Sequence, residues 1–312
     1  MSKVFLASAR VALCQMKVTP DKLINLNHVE TLIASALNNS PNQVDILVLP
    51  EIWNSPYATA SFPIFAELIP AIGSKSSTII TETSPSTSKL SNLAQQHKCW
   101  IIGGSIPEYE DSYTKTSLSG LSNRKIYNTC VVFDSEGTIV GKHRKMHLFD
   151  IDIPGKMTFK ESDTLTGGDS ITVVESPWGY IGIGICYDIR FPELAMLMRE
   201  RGCKLLVYPG AFNLVTGPAH WELLLRSRAV DNQLYTIGCA PARNDTAAYV
   251  AYGYSTVVSP WGVVLAQAAE GEEVIYADLD FTKADEMRAN IPTTVQKRGD
   301  VYRLEDITAS KL

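Results

Sequence analysis

Three reactive side chains each stand at the end of an apolar run. VDILVLPE closes on Glu51, TIVGKHRK on Lys145 and YIGIGIC on Cys186. Each alone has an ordinary explanation. A glutamate after a strand is usually solvated or caps a turn, a lysine at a strand end lies at the surface, and a lone cysteine packs as a small apolar residue. Together they make a catalytic kit. A thiol needs a base or a cationic neighbour to react near neutral pH. A carboxylate can take its proton, and an ammonium can stabilise an oxyanion. Ligands of open α/β sheets gather outside the carboxyl ends of the strands, so three such strand ends are expected to converge.

Histidine offers a competing arrangement. The chain has five: His28, His97, His143, His147 and His220. His28 and His97 fall on outer helices and read as solvated. His147 in KMHLFD and His220 in PAHWELL are compatible with a pair to Cys186, oriented by Asp188. Metal and nucleotide chemistry have little support. HxH, HExxH and clustered Cys/His patterns are absent, so no metal site is expected. The glycines of WGYIGIG lie before and within a strand, not in a strand-to-helix turn, and read as room for close packing on the sheet.

The elements that must position these residues are short and numerous. Val- and Ile-rich runs bounded by Gly, Pro, Asn or Asp predict strands at 10–16, 44–50, 99–106, 127–134, 138–145 and 171–176. Six more follow at 180–186, 203–210, 235–242, 254–260, 263–268 and 273–280. Helices are predicted from the Thr-Pro-Asp start at 19–39, and at 88–98, 191–202 and 217–233. Their early alternation with strands indicates βαβ units within a mixed sheet. Glu-Gly in FDSEGTIV and the two SPWG stretches, 176–179 and 259–262, read as hairpin turns. The Ser/Thr-rich stretch 72–91 and the polar stretch 109–125 read as surface insertions in loops. Composition never shifts for long, so residues 1–312 are expected to form a single domain.

Of 312 residues, 45% are hydrophobic and 20% charged, which suits a globular chain with a sizeable core. The formal charge of −5, with no basic block, disfavours nucleic acid and anionic membrane as partners. No apolar run is long enough to span a bilayer. Six scattered cysteines without CxxC spacing indicate reduced thiols. MSKVFLASA lacks acids, as a transit peptide does, but runs directly into the first strand. A cytoplasmic protein is expected, with a mitochondrial copy also compatible.

Four segments carry a resemblance: VLPEIWNSPY, KHRKMHLFDIDIPGKMTFKES, GIGICYDIRFPELA and LLVYPGAFNLVTGPAHWELLLRSRAVDNQ. Long, in order and spread over nearly the whole chain, they resemble the nitrilase superfamily of carbon–nitrogen hydrolases, and within it the omega-amidase branch. The resemblance implies a four-layer α-β-β-α sandwich, two mixed sheets with outer helices, assembled into homodimers. It implies Cys186 as nucleophile, Glu51 as general base and acid, and Lys145 as oxyanion stabiliser. Glu161 would hold Lys145, and the Tyr187 backbone N–H would complete the oxyanion site. No cofactor is implied. The implied substrate is a small ω-amide of a dicarboxylic keto acid, such as 2-oxoglutaramate. Its free carboxylate needs an anchor, for which Arg190 is the candidate, or else a structural ion pair with Asp188 or Glu193. Tyr57 and Thr216 are weaker candidates for the pocket. Other activities of the superfamily, on N-carbamoyl compounds or deaminated glutathione, are the alternative. The branch commonly has Gly-His-Ser where this chain has Gly253-Tyr254-Ser255, a departure expected to matter only if that position touches substrate.

Overall fold

The computed structural model describes residues 4–110, 124–155 and 157–308. In chain order come β1 (Ser8–Gln15), α1 (Lys22–Asn39), β2 (Ile46–Val48), α2 (Phe62–Phe65), α3 (Pro85–His97), β3 (Trp100–Ile102), β4 (Ile106–Tyr109), β5 (Ile126–Phe133) and β6 (Ile139–Arg144). Then follow β7 (Asp150–Ile153), β8 (Met157–Lys160), β9 (Thr172–Ser176), β10 (Gly179–Ile183), α4 (Pro192–Glu200), β11 (Cys203–Pro209) and α5 (Gly217–Asn232). The last are β12 (Tyr235–Cys239), β13 (Thr256–Val258), β14 (Val264–Gln267), β15 (Glu273–Asp280) and α6 (Thr282–Asn290).

Two mixed sheets result. One runs β15-β1-β2-β3-β5-β4 with β6 beside β5, and the other β14-β13-β12-β11-β10-β9. Each has three adjacent parallel strands at its heart, β1-β2-β3 and β12-β11-β10, flanked by antiparallel ones. Side-chain alternation along the strands builds the layers. Val11 and Leu13 of β1 and Ile46 and Val48 of β2 point into the core shared with the second sheet. Ala12, Cys14 and Leu47 point the other way, under Val29 and Ile33 of α1 and Leu90 and Leu93 of α3. On the far side α4 and α5 cover the second sheet with Leu194, Met198, Trp221 and Leu225. The order of layers is therefore α-β-β-α.

Local signals explain several boundaries. Asp21 caps α1, its Oδ1 accepting from Leu23 N at 2.8 Å and Ile24 N at 3.0 Å. A Cβ on Gly182 would lie 2.7 Å from Met198 Sδ, so the bare backbone at that point of β10 lets α4 settle on the sheet.

Four expectations need correction. The stretch 72–91 is not a surface loop throughout, because Pro85 opens α3 and Ser86, Thr87, Ser88 and Ser91 are buried. Buried Glu67 makes this possible: its carboxylate accepts from Ser86 N at 2.9 Å and Ser86 Oγ at 2.6 Å. The run 99–106 is two strands, not one, because Gly104 turns the chain at φ +61°. The β7–β8 hairpin, two four-residue strands of alternating polar and apolar residues, and the mostly polar α6 were not predicted, the strands being short and outside any Val- or Ile-rich run. The strand predicted at 180–186 stops at Ile183, so Cys186 lies beyond it. Most of the stretch 109–125, residues 111–123, lies outside the described residues. Among the described residues, no helix is long and apolar enough to cross a membrane.

Candidate active site

The carboxyl ends of strands from both sheets meet at one buried cluster. Glu51 follows β2 in the first sheet and Lys145 follows β6 at once. Glu161 opens a short 3-10 turn directly after β8. Cys186 opens another, Cys186–Arg190, three residues past β10 in the second sheet. The side chains of Glu51, Lys145 and Glu161 are completely buried, and Cys186 is 4% exposed.

Cys186 has φ +47°, a left-handed conformation that a side chain adopts at some cost. Asp188 holds the chain there. Its Oδ2 accepts from Ile185 N at 2.9 Å, while its own N–H donates to the Ile185 carbonyl at 3.0 Å. The same carboxylate accepts from His147 N at 2.9 Å and contacts His147 Nδ1 at 2.8 Å and His143 Nε2 at 3.0 Å. The turn that presents the thiol is thus tied to the end of β6 and the segment after it.

Lys145 Nζ donates to Glu51 Oε1 at 3.0 Å and lies 2.9 Å from Glu161 Oε2. Glu161 also accepts from Tyr57 Oη at 2.7 Å and Phe149 N at 2.7 Å. Glu51 Oε1 accepts a further bond from Asn128 Nδ2 at 2.8 Å, and Oε2 accepts from Ala211 N at 2.8 Å. The Cys186 thiol lies close enough to Glu51 for the carboxylate charge to bear on it.

Burial sets the electrostatics. It raises the Glu51 pKa above the usual carboxylate value, with Lys145 pulling the other way and Glu161 adding to the rise. It pushes the Cys186 thiol well up, helped by the Glu51 charge and opposed by Lys145. For Lys145, burial disfavours the charge, but Glu161 and Glu51 outweigh it and hold the side chain as ammonium. For Asp188, burial works against ionisation, yet hydrogen bonds from His143 and His147 win and hold the carboxyl well below its ordinary value. The resting cluster is therefore a neutral thiol beside a base whose proton affinity has been raised.

Aromatic rings wall the site. Tyr57 stacks on Tyr249 at 4.5 Å between centroids, and Phe149 meets Tyr187 edge-on at 5.3 Å. A cavity of about 320 Å³ reaches Glu51, Tyr57, Ala211 and Tyr249 from the surface side of the 241–251 loop. Arg190 packs its guanidinium 4.8 Å from the Phe212 ring centroid and 5.5 Å from that of Tyr187. Its Nη1 donates to His220 Nδ1 at 3.2 Å, while its Nε is buried without a partner.

The cluster unites Glu51, Lys145, Glu161, Cys186 and Tyr57, with Arg190 and Tyr187 beside it. Other expectations fall away from it. Arg190 forms no ion pair with Asp188 or Glu193 among the described residues. His147 stacks on Phe191 at 3.6 Å and His220 serves Arg190, so neither histidine is placed as a base on the thiol. Thr216 donates its hydroxyl to Asn213 Oδ1 at 3.2 Å, the oxygen that also accepts from the Val215 and Thr216 N–H groups in that turn. Tyr254 stacks on Tyr252 and reaches Glu270, away from the cavity, so the departure at this position does not touch the site. Asn128, Ala211 and Tyr249 went unrecognised. Asn128 alone left a trace in the sequence, as a polar residue inside the apolar strand YNTCVVF. Among the described residues, no group of three or more His, Cys, Asp or Glu side chains is placed to hold a metal ion.

Comparison with known proteins shows the family and the fold. The carbon-nitrogen hydrolase family model matches residues 10–289. An omega-amidase of Bos taurus is 50% identical over 300 residues, 96% of this chain and 99% of the relative. A chloroplastic omega-amidase of Arabidopsis thaliana is 49% identical over 97% of this chain and 76% of its own length. The crystal structure of Saccharomyces cerevisiae Nit3, a member of branch 10 of the nitrilase superfamily, superposes with a TM-score of 0.81 at 44% identity, covering 95% of this chain and 99% of that one.

Proposed function

This chain belongs to the carbon–nitrogen hydrolase family, and from that premise we infer that it is an omega-amidase. It hydrolyses the terminal amide of dicarboxylic keto acid monoamides, 2-oxoglutaramate to 2-oxoglutarate and 2-oxosuccinamate to oxaloacetate, releasing ammonia. The observation that carries this reading is half-identity over nearly the full chain to omega-amidases of both an animal and a plant.

The proposed chemistry follows from the cluster. Cys186 Sγ attacks the amide carbon as its proton passes to Glu51, so the thiolate never has to persist in the buried site. A base with a raised pKa suits this transfer, and so does a thiol that rests protonated. The new oxyanion is met by the Lys145 ammonium and by the Tyr187 N–H at the start of the 3-10 turn. Glu51 then gives its proton to the departing ammonia, leaving an acyl thioester on Cys186. Water, deprotonated by Glu51, opens the thioester. Glu161 keeps Lys145 charged and in place, and Tyr57 fixes Glu161. Arg190 receives the free carboxylate, a role supported by its buried, unpartnered Nε.

The same reading includes a single hydrolase domain and a homodimer formed through α4 and α5 beside the nucleophile. Exposed Leu223 and Val230 on α5 and Trp261 in the adjoining turn fit such a face. Six buried, unpaired cysteines fit a reducing compartment, and we place the enzyme in the cytoplasm.

The test is ammonia release from 2-oxoglutaramate against glutamine, asparagine, an N-carbamoyl amino acid and deaminated glutathione. Preference for 2-oxoglutaramate is expected. Preference for deaminated glutathione or the carbamoyl compound would move the chain to another activity of the superfamily.

A further inference from the structure

The two oxygens of the Glu51 carboxylate stand in different environments. A carboxylate oxygen offers about two lone-pair sites. On Oε1 both are taken by strong donors, Lys145 Nζ at 3.0 Å and Asn128 Nδ2 at 2.8 Å, with Tyr57 Oη at 3.4 Å behind them. On Oε2 only the Ala211 N–H, at 2.8 Å, is bound. A proton arriving at Oε1 would have to displace Lys145, which keeps Glu161, or the Asn128 amide, whose Nδ2 donates only to Glu51, whereas Oε2 has a site open.

We propose that Oε2 is the proton-carrying oxygen of Glu51, and that Asn128 is the positioning residue that enforces this by occupying Oε1. The inference rests on the omega-amidase reading only in assuming that Glu51 shuttles a proton from Cys186. Asn128 is fully buried and lies on β5, followed by buried Thr129 and then the strand's apolar residues. Its backbone carbonyl accepts from Lys145 N at 2.8 Å, so one residue fixes both the lysine backbone and the carboxylate. Only one orientation of its side-chain amide fits, because turning Oδ1 towards Glu51 would oppose two oxygens. With Nδ2 on Glu51, Oδ1 is left buried and unpartnered. An unpaired buried acceptor is costly. That the site keeps one fits an amide retained for its donor.

A donor to the carboxylate favours its charged form. Replacing Asn128 should therefore raise the Glu51 pKa further and move the acid limb of activity to higher pH. The experiment compares wild type, Asn128→Ala and the isosteric Asn128→Asp, each purified as the full chain. It measures kcat and KM for 2-oxoglutaramate against pH, and independently the pH dependence of Cys186 alkylation by iodoacetamide. The expected result for both variants is kcat lowered about tenfold or more, KM changed little, and both acid limbs shifted up by about one pH unit. A merely structural role would lower activity or melting temperature and leave the acid limbs where they are, which would overturn the proposal. Should Asn128→Ala fail to fold, Asn128→Asp keeps the shape and decides alone. If wild type turns over no keto-acid amide, the omega-amidase reading fails, while the alkylation profile still tests Asn128.

Discussion

Lys145 and Glu161 form an ion pair at 2.9 Å with neither side chain exposed to solvent. Such a pair is tolerable only because every other group around it is committed. Glu161 is also held by Tyr57 and the Phe149 N–H, and Lys145 by Glu51. Removing one partner of a buried pair leaves an uncompensated charge, at a cost of about 3–5 kcal/mol. Glu161→Ala is expected to lower the melting temperature clearly and to abolish measurable ammonia release. Glu161→Gln, which keeps shape and one acceptor, should melt closer to wild type and still lose most activity. Thermal melts with parallel ammonia assays on both variants check this.

The pH profile should show the raised base. Glu51 must be ionised to take the thiol proton, and burial raises its pKa. Activity is then lost as pH falls through a value higher than the ordinary carboxylate pKa of about 4.3. The acid limb of kcat/KM is expected above that value. A limb at or below it would assign the base elsewhere.

Because the thiol rests protonated, its reactivity should depend on its neighbour and not on solvent pH alone. Glu51→Gln is expected to slow iodoacetamide alkylation of Cys186 at pH 7 by at least about tenfold. Equal rates in the two proteins would mean that Glu51 does not accept the proton. Peptide mapping after limited labelling measures both the rate and the site.

Arg190 should govern affinity for the charged end of the substrate. Arg190→Lys loses the planar fork and Arg190→Met the charge. Both are expected to raise KM for 2-oxoglutaramate, by roughly tenfold or more for methionine, with less effect on a neutral ω-amide of similar size. Equal losses on both substrates would make Arg190 a packing residue.

Asp188 links the nucleophile turn to two histidines and contributes stability in a defined direction. Its folded pKa lies below the unfolded one, so the contribution is present above about pH 4 and is lost as pH falls through the folded value. Asp188→Asn should lower stability at pH 7 and flatten the acid side of the stability curve. Urea unfolding between pH 3 and 7 measures the slope.

Much of this site was legible because three of its members end apolar runs. Glu51, Lys145 and Cys186 stand where strands give out: the parallel triplets carry the ends of β2 and β10 to the site, and β6, antiparallel to β5, brings Lys145. Glu161 was visible only by resemblance, since it follows a short, half-exposed hairpin of four-residue strands and not a buried apolar run. Ala211 could not be read at all, because it acts through its backbone N–H and any residue type supplies one. The start of α3 was hidden for a related reason. Its serines read as solvent-facing, whereas buried Glu67 accepts from Ser86, Ser88 meets Thr81, and Ser91 donates to the Gly137 carbonyl. Asp188 was offered in a competing arrangement with His147 or His220, whereas it binds His143 and His147 and so fixes the turn that bears Cys186.

The central claim is a covalent acyl intermediate on Cys186. Its most direct test is acid-quenched mass spectrometry of the wild type during turnover of 2-oxoglutaramate, with Cys186→Ala in parallel. The account predicts an adduct equal to substrate less ammonia, mapped to the Cys186 peptide and absent from the variant, which also releases no ammonia. Ammonia release at near wild-type rate by Cys186→Ala, or an adduct on another residue, would contradict it.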